Sequence, residues 1–156
     1  MKKIVDSIIL DLAGKTKKEV LLSIAKFAKQ EKLIQDEQLI YRKFLKREQL
    51  GTTAIGRGIA LPEACWIDMN RTYAFILCRT KEPVDFNSLD GKPVRIILAS
   101  LGRDKADLTR LKPMAKLARL LKNSEFRDSL LNVRNTEDVY LLLNAWNPLN
   151  HNLEYG

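Results

Sequence analysis

Arg47, Thr52, Thr53, Arg57 and Glu63 fall within one short stretch of this chain, threaded through three glycines and closed by Pro62. These are residue types that handle anions. Guanidinium groups make charge-assisted, sometimes bidentate hydrogen bonds to carboxylate or phosphate, so a carboxylate set among arginines is readily held. If Glu63 swings aside, these arginines together with Arg110 form an anion pocket. The plainer alternative is a set of unconnected surface side chains. Metal chemistry finds no support. The sole histidine is His151, near the C-terminus, and Cys65 and Cys78 lack the CxxC spacing of a metal site.

The elements that must position these residues follow from pattern. Residues 51–63, with their glycines, paired threonines and proline, suit loops around a short strand at 58–61. Upstream, the β-branched run 8–12 predicts a strand that stops at Gly14. Thr16 and Glu19 have the spacing of a capping box, and Val20, Leu21, Ile24, Phe27 and Ala28 predict a helix over 17–30. A second helix begins near Asp36, buries Leu39, Ile40, Phe44 and Leu45, and ends at Gly51.

Downstream, the apolar runs 73–78 and 94–99 predict strands covered on both faces, with turn chemistry at Glu82-Pro83 and Asp90-Gly91 between them. After Gly102 the period turns helical. Leu108, Leu111, Ala115, Leu117, Ala118 and Leu121 mark one helix, with Pro113 in its first turn. Shorter helices follow over 124–131 and from Thr136 to Trp146, stopped by Asn147-Pro148. Helices before, between and after the strands predict an α/β fold, a central mixed β-sheet sandwiched by helices on both faces. It is expected as a single domain over 1–148 with a polar tail at 149–156.

Bulk properties narrow the function. A chain of 156 residues fits one domain and needs no staple, since it buries roughly 70% of the surface its unfolded form exposes. Basic residues outnumber acidic ones 27 to 19, and the resulting +8 favours acidic partners. Those cations are scattered along helical segments and no helix-turn-helix or zinc module appears, so nucleic acid is not favoured. Trp66, Tyr73 and Trp146 are expected to pack rather than to stack on bases. Cys78, inside an apolar run, is expected as a buried free thiol. The opening Met1-Lys2-Lys3 imitates an export signal, but Asp6 and Asp11 interrupt the apolar stretch, and no run approaches a membrane span. A cytoplasmic protein is expected.

The run from Phe44 to Pro62 adds more specific information. It holds an Arg47-Glu48 pair, then Gly51-Thr52-Thr53, then Gly56-Arg57-Gly58-Ile59-Ala60-Leu61-Pro62. This resembles the active-site signature of enzyme IIA domains of the bacterial sugar phosphotransferase system, of the fructose/mannitol and nitrogen-regulatory type. The segments Val84-Asp85-Phe86, Leu89 to Val94, Leu117 to Leu121 and Phe126-Arg127 are also similar, and the likeness runs from about Ile4 to Trp146.

The resemblance implies a mixed sheet between helices. It also implies a chemistry in which the histidine after the proline takes a phosphoryl group from the carrier HPr. The histidine then hands it to a transporter domain or, in the nitrogen branch, to nothing further. Imidazole suits that task because its neutral nitrogen is nucleophilic near pH 7. By the same likeness Glu63 stands at the acceptor position, Ala64 replaces a glycine and Arg57 replaces an asparagine or glutamate. Arg110 aligns with the family's second active-site histidine, while Arg47, Thr52 and Thr53 match residues beside the phosphate.

The implied protein is a IIA-like regulator, without a cofactor and with no catalytic residue expected. It acts through contact with an HPr-like carrier or with a regulated transporter, kinase or enzyme. Glu63 then has three readings: an acyl-phosphate acceptor in a genuine phosphocarrier, a permanent charge held by Arg47, Arg57 and Arg110 that imitates the phosphorylated state, or a surface residue of a decayed site. A basic nucleic-acid-associated domain is the remaining alternative, and the oligomeric state stays open.

Overall fold

A computed structural model describes residues 4–104 and 107–146 of the chain. His151, the Asn147-Pro148 helix stop and the tail over 149–156 lie outside the described residues. The described residues gather into two compact units, one within residues 5–107 and one formed by Ile4 together with residues 108–146.

The larger unit holds a six-stranded mixed sheet in the order β1-β5-β6-β3-β2. Strand β1 (Ser7–Leu12) runs parallel to β5 (Tyr73–Val84), and β5 is antiparallel to β6 (Val94–Gly102). On its other side β6 pairs in parallel with two short strands in succession, β3 (Ile59–Ala60) and β4 (Glu63–Ala64), while β2 (Ala54–Gly56) pairs antiparallel with β3.

Helices α1 (Lys17–Gln30) and α2 (Glu37–Gln49) cover one face. The predicted capping box starts α1: the Thr16 hydroxyl accepts from the Glu19 amide at 3.2 Å and the Glu19 carboxylate accepts from the Thr16 amide at 3.2 Å. Asp36 caps α2 through the Leu39 amide at 3.0 Å. Val20, Leu21, Ile24, Ile40 and Phe44 from the two helices pack with Ala60, Ala64, Ala74, Ile76, Cys78, Ile97 and Ala99 of the sheet. Burying each of the larger side chains is worth about 1.5–3 kcal/mol. The alternate residues Ile59, Phe75, Leu77, Ile96 and Leu98 are buried on the opposite sheet face. Cys78 is a fully buried free thiol, and burial pushes its ionisation far above the ordinary range.

The smaller unit is helical. Helix α3 (Leu111–Lys122) packs on α4 (Ser124–Asn132), and α4 on α5 (Thr136–Ala145). Leu117, Leu120 and Leu121, Phe126 and Leu130, and Val139 and Leu143 are their buried side chains. Pro113 is the third residue of α3, inside the first turn as predicted.

Two expectations need correction. Strand β5 does not stop near Cys78 but continues through Glu82 and Pro83 to Val84. The proline is accommodated because the β5–β6 register breaks between Arg79 and Val84, where no ladder amide is demanded of it. The short strand expected over 58–61 is present as β3 (Ile59–Ala60), and β4 follows it after Leu61-Pro62. Trp66 is not packed: it is 58% exposed, on backbone with φ of 64°. Tyr73 and Trp146 do pack, Tyr73 against Phe75 at 5.2 Å and Trp146 edge-on to Phe126 at 5.9 Å between ring centres.

Candidate functional site

The loop that follows α2 is fastened from beneath by a carboxylate near the helix's end. Glu48 Oε2 accepts from the Thr53 hydroxyl at 2.6 Å, and Oε1 accepts from the Thr53 amide at 3.1 Å. Oε1 also takes the Lys17 ammonium at 3.1 Å, in an ion pair whose side chains are only 6% and 16% exposed. The Lys17 ammonium lies 5.2 Å above the centre of the Phe86 ring, a cation–π distance. Thr52 completes the fastening, donating its hydroxyl to the Phe86 carbonyl and accepting from the Ala54 amide at 3.1 Å. One partly buried cation, with Glu48, thus ties α1, the end of α2, the 51–54 loop and the 85–92 loop together.

The next segment makes a tight hairpin. Gly56 pairs with Ile59, leaving Arg57 and Gly58 as the two central residues with φ of 59° and 78°. Positive φ at both central positions is the pattern of a type I′ turn, where asparagine and glycine are the usual occupants. Arg57 is held there by its amide, which donates to Asp90 Oδ2 at 2.9 Å. A Cβ on Gly56 would stand 3.1 Å from the same oxygen, so glycine leaves the carboxylate room.

Asp90 Oδ1 accepts from the Ser88 hydroxyl at 2.7 Å and the Lys92 amide at 3.0 Å. These donors, led by the Arg57 amide, lower the acid from its ordinary value to about 2. A depressed folded-state value stabilises above the unfolded-state value and loses that contribution as pH falls toward 2. The Asp90 carboxyl is therefore expected to titrate near 2 by NMR, with the Arg57 amide shift following the same midpoint. Asp90→Asn should abolish that inflection. A carboxyl midpoint at the ordinary aspartate value would contradict the pin.

Beyond the hairpin, Leu61 donates its amide to the Thr53 carbonyl at 3.0 Å, and the Pro62 carbonyl accepts from Ser100 of β6 at 3.0 Å. These bonds deliver Glu63 into β4 opposite Ser100. Its neighbour Ala64 points into the core beneath α1 and α2. Strand alternation then sends the half-buried Glu63 side chain to the opposite face of the sheet.

The six residues singled out from the sequence are distributed unevenly. Thr52 and Thr53 share the network just described. Arg47 donates from its guanidinium to the Gly51 carbonyl at 2.8 Å, closing the end of its own helix. Arg57 lies exposed at the hairpin tip. The Arg47 guanidinium thus bonds to the Gly51 carbonyl, while the Arg57 bond to Asp90 is made by its backbone amide. Arg110 belongs to the smaller unit, where it is buried at the N-cap position of α3.

Glu48, Lys17 and Asp90 were not among the candidates. Glu48 stood in plain view beside Arg47, but its partner Lys17 is 31 residues away, and Asp90 is 33 residues from Arg57. No local signal joins such pairs.

Comparison with known proteins agrees with this arrangement. The chain is 32% identical over 139 residues to a nitrogen regulatory protein of Bradyrhizobium diazoefficiens, covering 88% of this chain and 89% of that one. The crystal structure of nitrogen regulatory protein IIA-Ntr from Neisseria meningitidis superposes with a TM-score of 0.78 at 29% identity, over 87% of this chain and 92% of that one. The IIA mannitol structure from Escherichia coli shares the fold, with a TM-score of 0.72 at 18% identity over 87% and 94% of the two chains. The expected α/β fold around a mixed sheet is thereby shown. Among the described residues no helix is long and apolar enough to cross a membrane. Residues 4–146, the two strapped loops and the strand carrying Glu63 included, match the family of the phosphoenolpyruvate-dependent sugar phosphotransferase system termed EIIA 2, and the chain belongs to that family.

Proposed function

We propose that this chain is a IIA-type regulator of the nitrogen-regulatory kind that works through protein–protein contact and carries no phosphoryl group. One observation carries the reading: the span matched to the family, residues 4–146, contains no histidine. Phosphoryl relay of the family's type needs a neutral ring nitrogen as nucleophile. At the position that resembles the family's acceptor stands Glu63, a carboxylate in place of an imidazole, which would give this surface a lasting negative charge.

The scaffold around it supports a retained docking role. The Glu48–Thr53 and Asp90–Arg57 straps hold the loops whose residues resemble the family's phosphate surroundings. The relatives named as nitrogen regulatory proteins match it over nearly their whole length, which favours the same class here. A cytoplasmic site of action belongs to this reading.

The test is intact-mass measurement after incubation with phosphoenolpyruvate, enzyme I and HPr. The mass is expected to stay unchanged. Gain of one phosphate would overturn the reading, and repeating the reaction with Glu63→Gln and His151→Ala would locate the acceptor. Glu63→His asks the converse question. Partial labelling is expected if the site lacks its nucleophile alone, and no labelling would place part of the loss in the surrounding side chains.

A further inference from the structure

Helix α3 differs from every other helix of the described residues in having no carboxylate. Its polar face is basic throughout. Lys112, Lys116, Arg119 and Lys122 are all exposed, and their spacing of four, three and three residues places them on one stripe. The stripe is about 15 Å long at 1.5 Å per residue. The opposite face, with Leu117, Leu120 and Leu121, is buried.

Such a stripe works against the helix that bears it. The pairs 112/116, 116/119 and 119/122 set like charges at the neighbouring helical spacings. The helix dipole favours cations at Arg119 and Lys122, in the last turn, but opposes Lys112 in the first. Lys112, Lys116 and Lys122 have no carboxylate within ion-pair distance among the described residues. At the head of the same stripe two leucines face solvent, Leu111 at 44% and Leu108 at 65% exposure. A turn joins them, the Leu111 amide donating to the Leu108 carbonyl at 3.1 Å.

We propose that this face of α3 is a docking surface for an acidic helix of a partner protein. Its carboxylates would run along Lys112, Lys116, Arg119 and Lys122, and an apolar side chain would seat on Leu108 and Leu111. Charge complementarity selects an anionic partner. The exposed leucines select protein over nucleic acid, because a phosphate backbone gives them nothing to pack on and the stripe has no aromatic ring for bases. A bilayer is disfavoured because the apolar face of α3 is already buried and unavailable for insertion. The proposal rests on the contact-regulator reading and adds the chemistry of the partner.

The experiment is fluorescence anisotropy of the full chain with a labelled helical peptide. The peptide carries glutamates at the spacing of the stripe and a leucine one turn ahead of them. The comparison probes are the same peptide with glutamine for glutamate, duplex DNA, and vesicles of phosphatidylglycerol in phosphatidylcholine. The glutamate peptide is expected to bind, and binding should weaken about tenfold or more in K112E/K116E/K122E. A lysine version of the peptide should bind that variant in its place. The milder K112Q/K116Q/K122Q, with circular dichroism of both variants, separates lost charge from lost fold.

The proposal is overturned if the glutamate peptide fails to bind, if it binds wild type and variants equally, or if DNA or vesicles compete it away through these lysines. The two readings fail separately. Phosphate labelling would overturn the regulator reading with peptide binding intact, and loss of peptide specificity would overturn this one with the mass unchanged.

Discussion

Glu48→Ala is expected to lower the stability of the chain by about 3 kcal/mol, a fall in Tm of roughly 6–12 °C for a domain of this size. The loss has three parts. The Thr53 amide and hydroxyl each lose an acceptor in a site where water has little access, since the Glu48 side chain is only 6% exposed. Lys17, 16% exposed, is left as a charge with its counter-ion gone. Removing one member of a buried pair costs far more than the pair itself contributes.

Two companions sort these parts. Glu48→Gln keeps one oxygen to accept from Thr53 but leaves Lys17 unneutralised, so it should cost about 1–2 kcal/mol. Glu48→Ala combined with Lys17→Met should cost less than the sum of the two single changes, because no charge is then stranded. Thermal unfolding of wild type, the three single variants and the double variant measures this. A Glu48→Ala variant within about 0.5 kcal/mol of wild type would mean that the network is not what holds the loop.

The contrast between Glu48 and Arg47 marks how far the sequence could be read. Features that rest on short-range chemistry were legible. The Thr16–Glu19 capping box, the apolar stripe of α1, the thiol of Cys78 within a β-rich run and the glycine-rich 51–63 stretch all carry their reason within a few residues. Features that rest on a distant partner were not. Arg47, Thr53 and Glu63 share one stretch, yet Arg47 bonds back to Gly51, Thr53 hangs from Glu48 and Lys17, and Glu63 is placed by Ser100 of β6.

The turn chemistry of Glu82-Pro83 was genuine in composition but was overridden, since a register break let β5 absorb the proline. Strands β2 and β4 are three and two residues long and exist only because β3 and β6 supply their ladders. Alternation needs about four residues to be recognised, more than either strand has. Trp66 was expected to pack, as tryptophan usually does. A positive φ instead turns the chain and leaves the indole in solvent.

Phe86→Ala should cost about 3–5 kcal/mol, the range for emptying a packed aromatic site. Phe86 has no solvent exposure and belongs to the cluster that α1, α2 and the sheet share. Its ring also lies beneath the Lys17 ammonium, and its carbonyl takes the Thr52 hydroxyl. Truncation thus removes hydrophobic burial and the ring face of Lys17 together, and lets the 85–92 loop shift away from Thr52. The cation–π share is the smaller part, about 0.5–1 kcal/mol.

Phe86→Leu isolates that share. It keeps most of the apolar volume and should cost about 1–2 kcal/mol, with the ring face lost in full. Urea unfolding gives both energies, and amide exchange at Thr53 and Ala54 reports the loop. Exchange there should quicken in Phe86→Ala well beyond what global destabilisation produces in a core control such as Phe44→Leu, because Phe44, although fully buried, makes no contact with Lys17 or Thr52 comparable to that of Phe86. Equal exchange in the two variants at matched stability would show that the 51–54 loop is held without Phe86.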